Sequence, residues 1–226
     1  LVEPYVHAMS LERKNLRITV VRRKRGNEQL LAFIKEKHAG ESGIVYTSSR
    51  AKAETICAFL AAEGINCLCY HAGLSREQRE LSQTRFLHEK DAVIVATIAF
   101  GMGIDKADVR FVAHTSLPKS IENYVQEIGR AGRDGQKAEA RLCFSGGDAF
   151  FQKKRIAESD AEDWYKNISE VKQDVMQGYA ESTECRRNLL LAYFGEETKE
   201  ACGQCDNCLA SEKSWDASTA VKKFLS

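Results

Sequence analysis

Five short apolar runs constrain the fold of this chain more than any other feature: IVYT (44–47), INCLCY (65–70), AVIVAT (92–97), RFVAHT (110–115) and ARLCFS (140–145). Each has the length of a strand, and IVYT and AVIVAT are continuous enough to be buried on both faces. Helical segments separate them. Residues 50–62 put Ala53, Ile56, Cys57 and Leu60 on one face, with Gly64 just past the end. Ser75 with Gln78 three residues on is a capping-box signature for a helix running to about His88, and IENYVQEI (121–128) is helical. Strands alternating with helices from about residue 16 to 145 imply the α/β class, a parallel sheet flanked by helices. In such sheets binding sites form at the carboxyl ends of the strands.

After Ser145-Gly146-Gly147 the pattern changes. Residues 148–195 carry no strand signal and read as two or three helices, with a break at Gly178. Leu189, Leu190, Tyr193 and Phe194 give the last helix its packing face, and Gly195 ends it. A domain boundary is therefore expected near 146–158. The closing SWDASTAVKKFLS reads as the opening helix of a further domain, and a chain that begins LVEPYVHAMS, without Met, is expected to be a fragment. No apolar run approaches a membrane span, and the first residues lack the core of a signal peptide.

A net charge of +1 says little about partners, so charge has to be read locally. RRKR (22–25), KKR (153–155) and Arg186-Arg187 are basic clusters, each equally a solvated surface. The eight cysteines divide in two. Cys57, Cys67, Cys69 and Cys143 lie in apolar segments and read as core. Cys185-x16-Cys202-x2-Cys205-x2-Cys208 has metal-ligand spacing, and four thiolates close a tetrahedron around a structural Zn²⁺. An iron–sulfur cluster or a redox CxxC pair remain the alternatives.

QEIGRAGRDG (126–135) carries Arg130 and Arg133 three residues apart near a helix end. Planar, permanently charged forks suit triphosphate oxygens and the charge that develops on a transferred phosphoryl group. The same arginines would also answer a helix macrodipole, with Gly135 as terminator. Three other strings occupy strand ends. ATIAFGMGIDKADVRFVAH (96–114) places Thr97 after a strand, then Gly101-Met102-Gly103 and Asp105, a loop open to phosphates with a carboxylate placed for a ribose hydroxyl. GIVYTSSRAKAE (43–54) presents three hydroxyls and Arg50 at a helix start, and YHAGL (70–74) presents His71. Singly each is an ordinary strand-to-helix turn; together they crowd one edge of the sheet.

In order and spacing these strings resemble motifs IV, V and VI of superfamily 2 helicases, and closely the RecQ family of DNA helicases. CRRNLLLAYFGE…CGQCDNC is likewise similar to the RecQ zinc-binding domain. The resemblance implies a linker over 1–15 and a second RecA-like domain over 16–150. It implies a helical hairpin with a four-cysteine zinc site over 151–212, and the start of a winged-helix domain over 213–226. By carry-over Arg133 is the arginine finger, Arg130 a second phosphate contact and Gln126 the couple between nucleotide and DNA. Asp105, with Gly101 and Gly103, would meet the ribose or the neighbouring lobe, although the family often has Asn at the position of Asp105. Thr97, Ser48, Arg50 and His71 would touch single-stranded DNA, and Arg186 and Arg187 could meet a backbone phosphate.

The chain has no GxxxxGK[ST] loop and no Asp-Glu pair in a metal-holding setting. The resemblance therefore implies that ATP and Mg²⁺ are held mainly by a preceding RecA-like domain. The expected parent couples ATP hydrolysis to 3′-to-5′ translocation and unwinding of DNA, including fork junctions, in recombination and repair. The fragment alone is expected to be inactive. Its compartment would be the bacterial cytoplasm at the nucleoid, or the eukaryotic nucleus. A non-catalytic zinc-containing DNA-binding module on the same fold is the alternative, and an RNA- or chromatin-directed relative is a third.

Overall fold

The computed structural model describes residues 10–97, 100, 105–198 and 200–210. Six strands form one sheet: β1 (Leu16–Arg22), β2 (Gly43–Tyr46), β3 (Cys67–Tyr70), β4 (Val93–Ala96), β5 (Phe111–His114) and β6 (Ala138–Phe144). Their spatial order is β1-β6-β5-β2-β4-β3, and every neighbouring pair runs parallel. All five strands read from sequence are present.

The period-2 geometry of the strands divides the core in two. Ile44, Tyr46, Ile94, Ala96, Val112 and Leu142 point to one face, and Val45, Val93, Val95, Phe111 and Ala113 to the other. The second face is covered by α1 (Gly26–Lys37) through Leu30, Phe33 and Ile34, and by α2 (Arg50–Ala62) through Ala53, Ile56 and Leu60. Phe86 of α3 (Arg76–His88) and Tyr124 and Ile128 of α4 (Ile121–Ile128) cover the first. Each fully buried large side chain contributes about 1.5–3 kcal/mol. Helix starts are fixed by serines: Ser49, Ser75 and Ser120 accept from the amides of Lys52, Gln78 and Asn123. The Ser75–Gln78 capping box forms in both directions. β1 and α1 precede the first element that has a distinct local signal. At the N-cap of α1 stands Arg25, with no side-chain cap to announce the helix.

Four helices follow: α5 (Gly146–Ala157), α6 (Asp163–Glu181), α7 (Arg186–Tyr193) and α8 (Asp206–Leu209). They pack onto the lobe, α6 and α7 against α4, and α7 and α8 against β1. Met176, Tyr179, Ala180 and Leu190 join the same apolar core as the strands.

Two expectations are corrected. Gly178 does not break a helix; α6 runs through it to Glu181. A helical glycine costs about 1 kcal/mol, which burial of the neighbouring Met176, Tyr179 and Ala180 offsets. In α7 the buried positions are Arg186, Leu190 and Leu191, whereas Tyr193 and Phe194 are exposed at the helix end. Gly195 does follow the helix end, at φ 82°. Residues 1–9 of the expected linker and the 213–226 segment lie outside the described residues.

Candidate functional site

The carboxyl ends of β2, β4 and β5 open into one groove. Thr47, Ser48, Thr97, Ser116, Lys119 and Arg155 line it. Ser48 and Thr97, far apart in sequence, meet there because β2 and β4 are paired neighbours whose last residues, Tyr46 and Ala96, are in register. Lys119, Gln152 and Arg155 also line a second groove with Tyr165 and Lys172, so the cationic floor extends onto the α5–α6 hairpin. Arg155 lay in a recognised basic cluster; nothing local showed that α5 would fold it over Ser48, whose carbonyl it reaches at 3.5 Å.

Arg50 at the start of α2 is exposed and lies against the YHAGL turn. A Cβ at Gly73 would sit 3.2 Å from both Arg50 Cδ and His71 Nδ1, so the glycine gives this close approach its room. His71 is placed differently from expectation. It is 2% exposed, its Nδ1 accepts from the Gly73 amide at 3.2 Å, and its Nε2 lies 3.1 Å from Glu54. The imidazole shapes the turn from beneath and presents no surface to a phosphate.

The turn after α4 carries the paired arginines. α4 ends at Ile128 with Gly129 as its C-cap, and Gly132 at φ 60° and Gly135 at φ 78° complete the turn. Arg130 points inward, 9% exposed, against the Tyr46 hydroxyl, which donates to the carbonyl of Phe100. Burial raises the Tyr46 phenol well above its ordinary range, and the adjoining Arg130 partly offsets this. Arg133 points outward and donates to Asp105 at 2.9 Å. Gln126 is exposed on the same side. Gly101 and Gly103 lie outside the described residues.

Beneath the turn lies a buried network that no local pattern announces. His114 pairs with Glu127 at 2.7 Å, both buried, and its ring stacks on Tyr46 at 5.3 Å and meets Tyr124 edge-on at 5.2 Å. Tyr124 meets Tyr179 of α6 at 5.6 Å. His114 and Glu127 both lie within strings singled out above; only the packing of α4 against the end of β5 brings them together.

At the far end Cys185, Cys202, Cys205 and Cys208 converge, with their sulfurs all within 4.8 Å of one another. Zn–S bonds of about 2.3 Å in a tetrahedron place sulfurs about 3.8 Å apart, and Cys202 and Cys208 are separated by 3.8 Å. The Cys202 amide donates to the Cys185 sulfur and the Cys208 amide to that of Cys205, as thiolate acceptors require. A set this tight encloses one ion, and a cluster of several irons would spread its ligands farther. These residues form a structural zinc site that ties the start of α7 to the 202–208 knuckle.

The adjoining arginines are not free for phosphate. Arg186 is 4% exposed: its guanidinium pairs with Asp206 at 3.1 Å and donates to the carbonyl of Tyr179 at 2.5 Å. Beside an apolar core a buried charge has to be fully paired, and here it fastens α6 to the zinc knuckle. Arg187 is half-buried against Glu12 and the carbonyl of Arg13.

Comparison with known proteins agrees with this arrangement. Residues 25–135 match the helicase conserved C-terminal domain, and residues 146–209 match the RecQ zinc-binding family. The chain is 43% identical over its whole length to an ATP-dependent DNA helicase RecQ of Pasteurella multocida, covering 35% of that protein. It is 42% identical over 96% of its length to the RecQ helicase of Haemophilus influenzae, again covering 35%. The chain thus spans about a third of the length of these relatives. Among solved structures, S. cerevisiae Dbp5 with RNA and ADP BeF3 aligns with a TM-score of 0.55 at 20% identity, over 73% of this chain and 46% of that one. At that identity the likeness speaks for a shared RecA-like fold. No helix among the described residues is long and apolar enough to cross a membrane.

Proposed function

The chain belongs to the RecQ helicase family, and on that premise we propose that it is the carboxyl-side part of a motor that couples ATP hydrolysis to 3′-to-5′ movement on DNA and strand separation. The observation that carries this is the turn after α4, which sets Arg130 inward against Tyr46, a residue of the strand-end groove, and Arg133 outward onto Asp105. Nucleotide and Mg²⁺ are held by a preceding RecA-like domain; this lobe supplies charge to the γ-phosphate from the opposite side. On closure Arg133 exchanges Asp105 for phosphate oxygens, Arg130 braces the turn against Tyr46, and Gln126 senses the event on the DNA side. Ser48, Thr97 and Arg50 contact phosphates of the single strand, and the groove advances along it as the lobes open and close.

The zinc, when bound, supplies a rigid cross-link, and Cys185, Cys202, Cys205 and Cys208 hold it. We assign residues 16–150 to the motor lobe, 151–212 to the hairpin and zinc module, and 213–226 to the start of a winged-helix domain that engages the fork. The working compartment is that of the DNA: nucleoid or nucleus.

Turnover measurements test the reading. In the full-length protein Arg133→Ala is expected to lower kcat for DNA-stimulated ATP hydrolysis by roughly 10³-fold or more while single-strand affinity holds. An equal loss of binding and turnover refutes the finger role. The isolated chain is expected to show no ATPase activity, and robust hydrolysis by it would overturn the division of labour.

A further inference from the structure

Residues 10–15 form a strap with one set of hydrogen bonds to each side. Toward the arginine turn, Arg13 donates from Nη2 to the carbonyls of Ala131 at 2.9 Å and Gly132 at 2.7 Å, and from Nη1 to that of Gly129 at 3.4 Å. Asn15 Nδ2 donates to the carbonyls of Gly132 and Gln136, both at 2.8 Å. A guanidinium is suited to this, because its rigid fork spans several acceptors that a point charge cannot reach together. The Gly132 carbonyl also accepts from the Gly135 amide at 3.1 Å, so Arg13 and Asn15 add a second tie to a turn that already closes on itself. Contact is close enough that a Cβ at Gly132, itself at φ 60°, would lie 2.6 Å from Asn15 Nδ2.

Toward the zinc side, Gln204, between two of the ligand cysteines, donates to the carbonyl of Lys14 at 2.9 Å. Arg187 of α7 donates to the carbonyl of Arg13 at 3.4 Å and pairs with Glu12 at 3.5 Å. Past the end of α7, Glu196 accepts from Ser10 Oγ at 2.5 Å and from the Leu11 amide at 2.8 Å. Between α4 and α7 the packing leaves a cavity of about 340 Å³, with Leu11, Arg13, Gln126, Arg133 and Leu190 in its wall. The strap therefore borders the cavity that separates the zinc-side helix from the arginines.

We propose that Arg13 is a positioning residue, and that the strap transmits the order of the zinc site to the turn carrying Arg130 and Arg133. This rests on reading Arg133 as facing ATP. Arg13 reaches no phosphate itself; it fixes the backbone that aims Arg133 and seats the buried Arg130 against Tyr46. A displacement of about 1 Å at such a group can cost on the order of 100-fold in rate. With the knuckle ordered, Gln204 and Arg187 hold the strap and Arg13 holds the turn; with the knuckle loosened, the turn loses its anchor although no catalytic group has changed.

The test uses the full-length protein, with Arg13→Ala, Arg13→Lys, Gln204→Ala and, for reference, Arg133→Ala. Hydrogen exchange over residues 129–135 reads the turn directly, beside kcat and KM for ATP and zinc content. Arg13→Ala is expected to speed exchange there and to lower kcat on the order of 10- to 100-fold, with KM and zinc unchanged. Arg13→Lys recovers part of that loss. Gln204→Ala keeps every ligand cysteine and is expected to speed exchange over the same turn from the zinc side. If Arg13→Ala fails to fold, Gln204→Ala decides alone. Unchanged exchange in the variants that fold overturns the proposal, whatever turnover does. Faster exchange combined with full activity of Arg133→Ala leaves the strap standing and removes the finger assignment instead.

Discussion

Arg133 Nη1 donates to the Asp105 carboxylate at 2.9 Å, joining the paired-arginine turn to the segment that leads into β5. The Asp105 side chain is 87% exposed and that of Arg133 37% exposed, so solvent screens the pair and its stability contribution is at most about 1 kcal/mol. Its consequence is orientation: it holds a long, multi-rotamer guanidinium in one direction, the one the proposed finger role needs.

Asp105→Asn in the full-length protein is therefore expected to leave the thermal midpoint nearly unchanged and to lower kcat about fivefold, the rate equivalent of about 1 kcal/mol. Parallel melting and steady-state hydrolysis check it. A large drop in Tm with normal turnover would show that the pair serves folding instead.

The His114–Glu127 pair carries the opposite expectation, since both side chains are buried and 2.7 Å apart. Glu127→Ala strands a buried imidazole and should cost about 3 kcal/mol; Glu127→Gln, which keeps an oxygen toward the ring, should cost about 1 kcal/mol. Urea unfolding of both variants separates them, and equal losses would assign the effect to packing.

Arg186→Ala is expected to destabilise the chain by about 3–5 kcal/mol, because Asp206 and the Tyr179 carbonyl lose their buried partner. DNA affinity should keep its dependence on salt in this variant, as no phosphate contact has been removed. A shallower salt slope would return Arg186 to the nucleic-acid interface.

Cys205→Ser is expected to release the metal and loosen residues 182–209, since structural zinc is coupled to folding. Elemental analysis checks the first part and limited proteolysis the second. One zinc per chain retained in the variant would rule out this ligand set.

At the α4–α6 contact, hydrogen bonding from Lys172 at 2.8 Å and then from Ser120 holds the Glu122 carboxyl below its ordinary value of 4.5, at about 2. A depressed carboxylate contributes stability that is full above its unfolded pKa and is lost as pH falls through the folded one. The contribution should therefore be complete at pH 7 and fade between about pH 4.5 and 2. The two side chains are 39% and 45% exposed, so screening keeps the contribution under about 1 kcal/mol. Comparing acid unfolding of the parent and Glu122→Gln isolates it, and coincident curves would remove the pair from the acid limb.

The sheet was legible in the sequence because buried parallel strands are continuous apolar runs and their helices carry serine caps: Ile44–Thr47, Val93–Ala96 and the Ser75–Gln78 box are local signals with local causes. β1 and α1 were not, since Arg25 caps nothing and β1 takes its place only by pairing with β6 across more than a hundred residues. Gly178 misled because propensity gives a glycine's cost without the packing that offsets it.

The chemical groups and their rough places on the sheet are read directly from the residues: the arginine pair, the strand-end hydroxyls and four cysteines at metal spacing. Which of them face outward is set by long-range packing. On paper His71 and Arg186 suit a phosphate as Arg50 and Arg133 do, yet the first two are buried against Glu54 and Asp206 and the others reach the surface. That choice depends on partners distant in the chain, and the desolvation of a charged group is settled by all the elements that surround it, none of which its own neighbours in sequence specify.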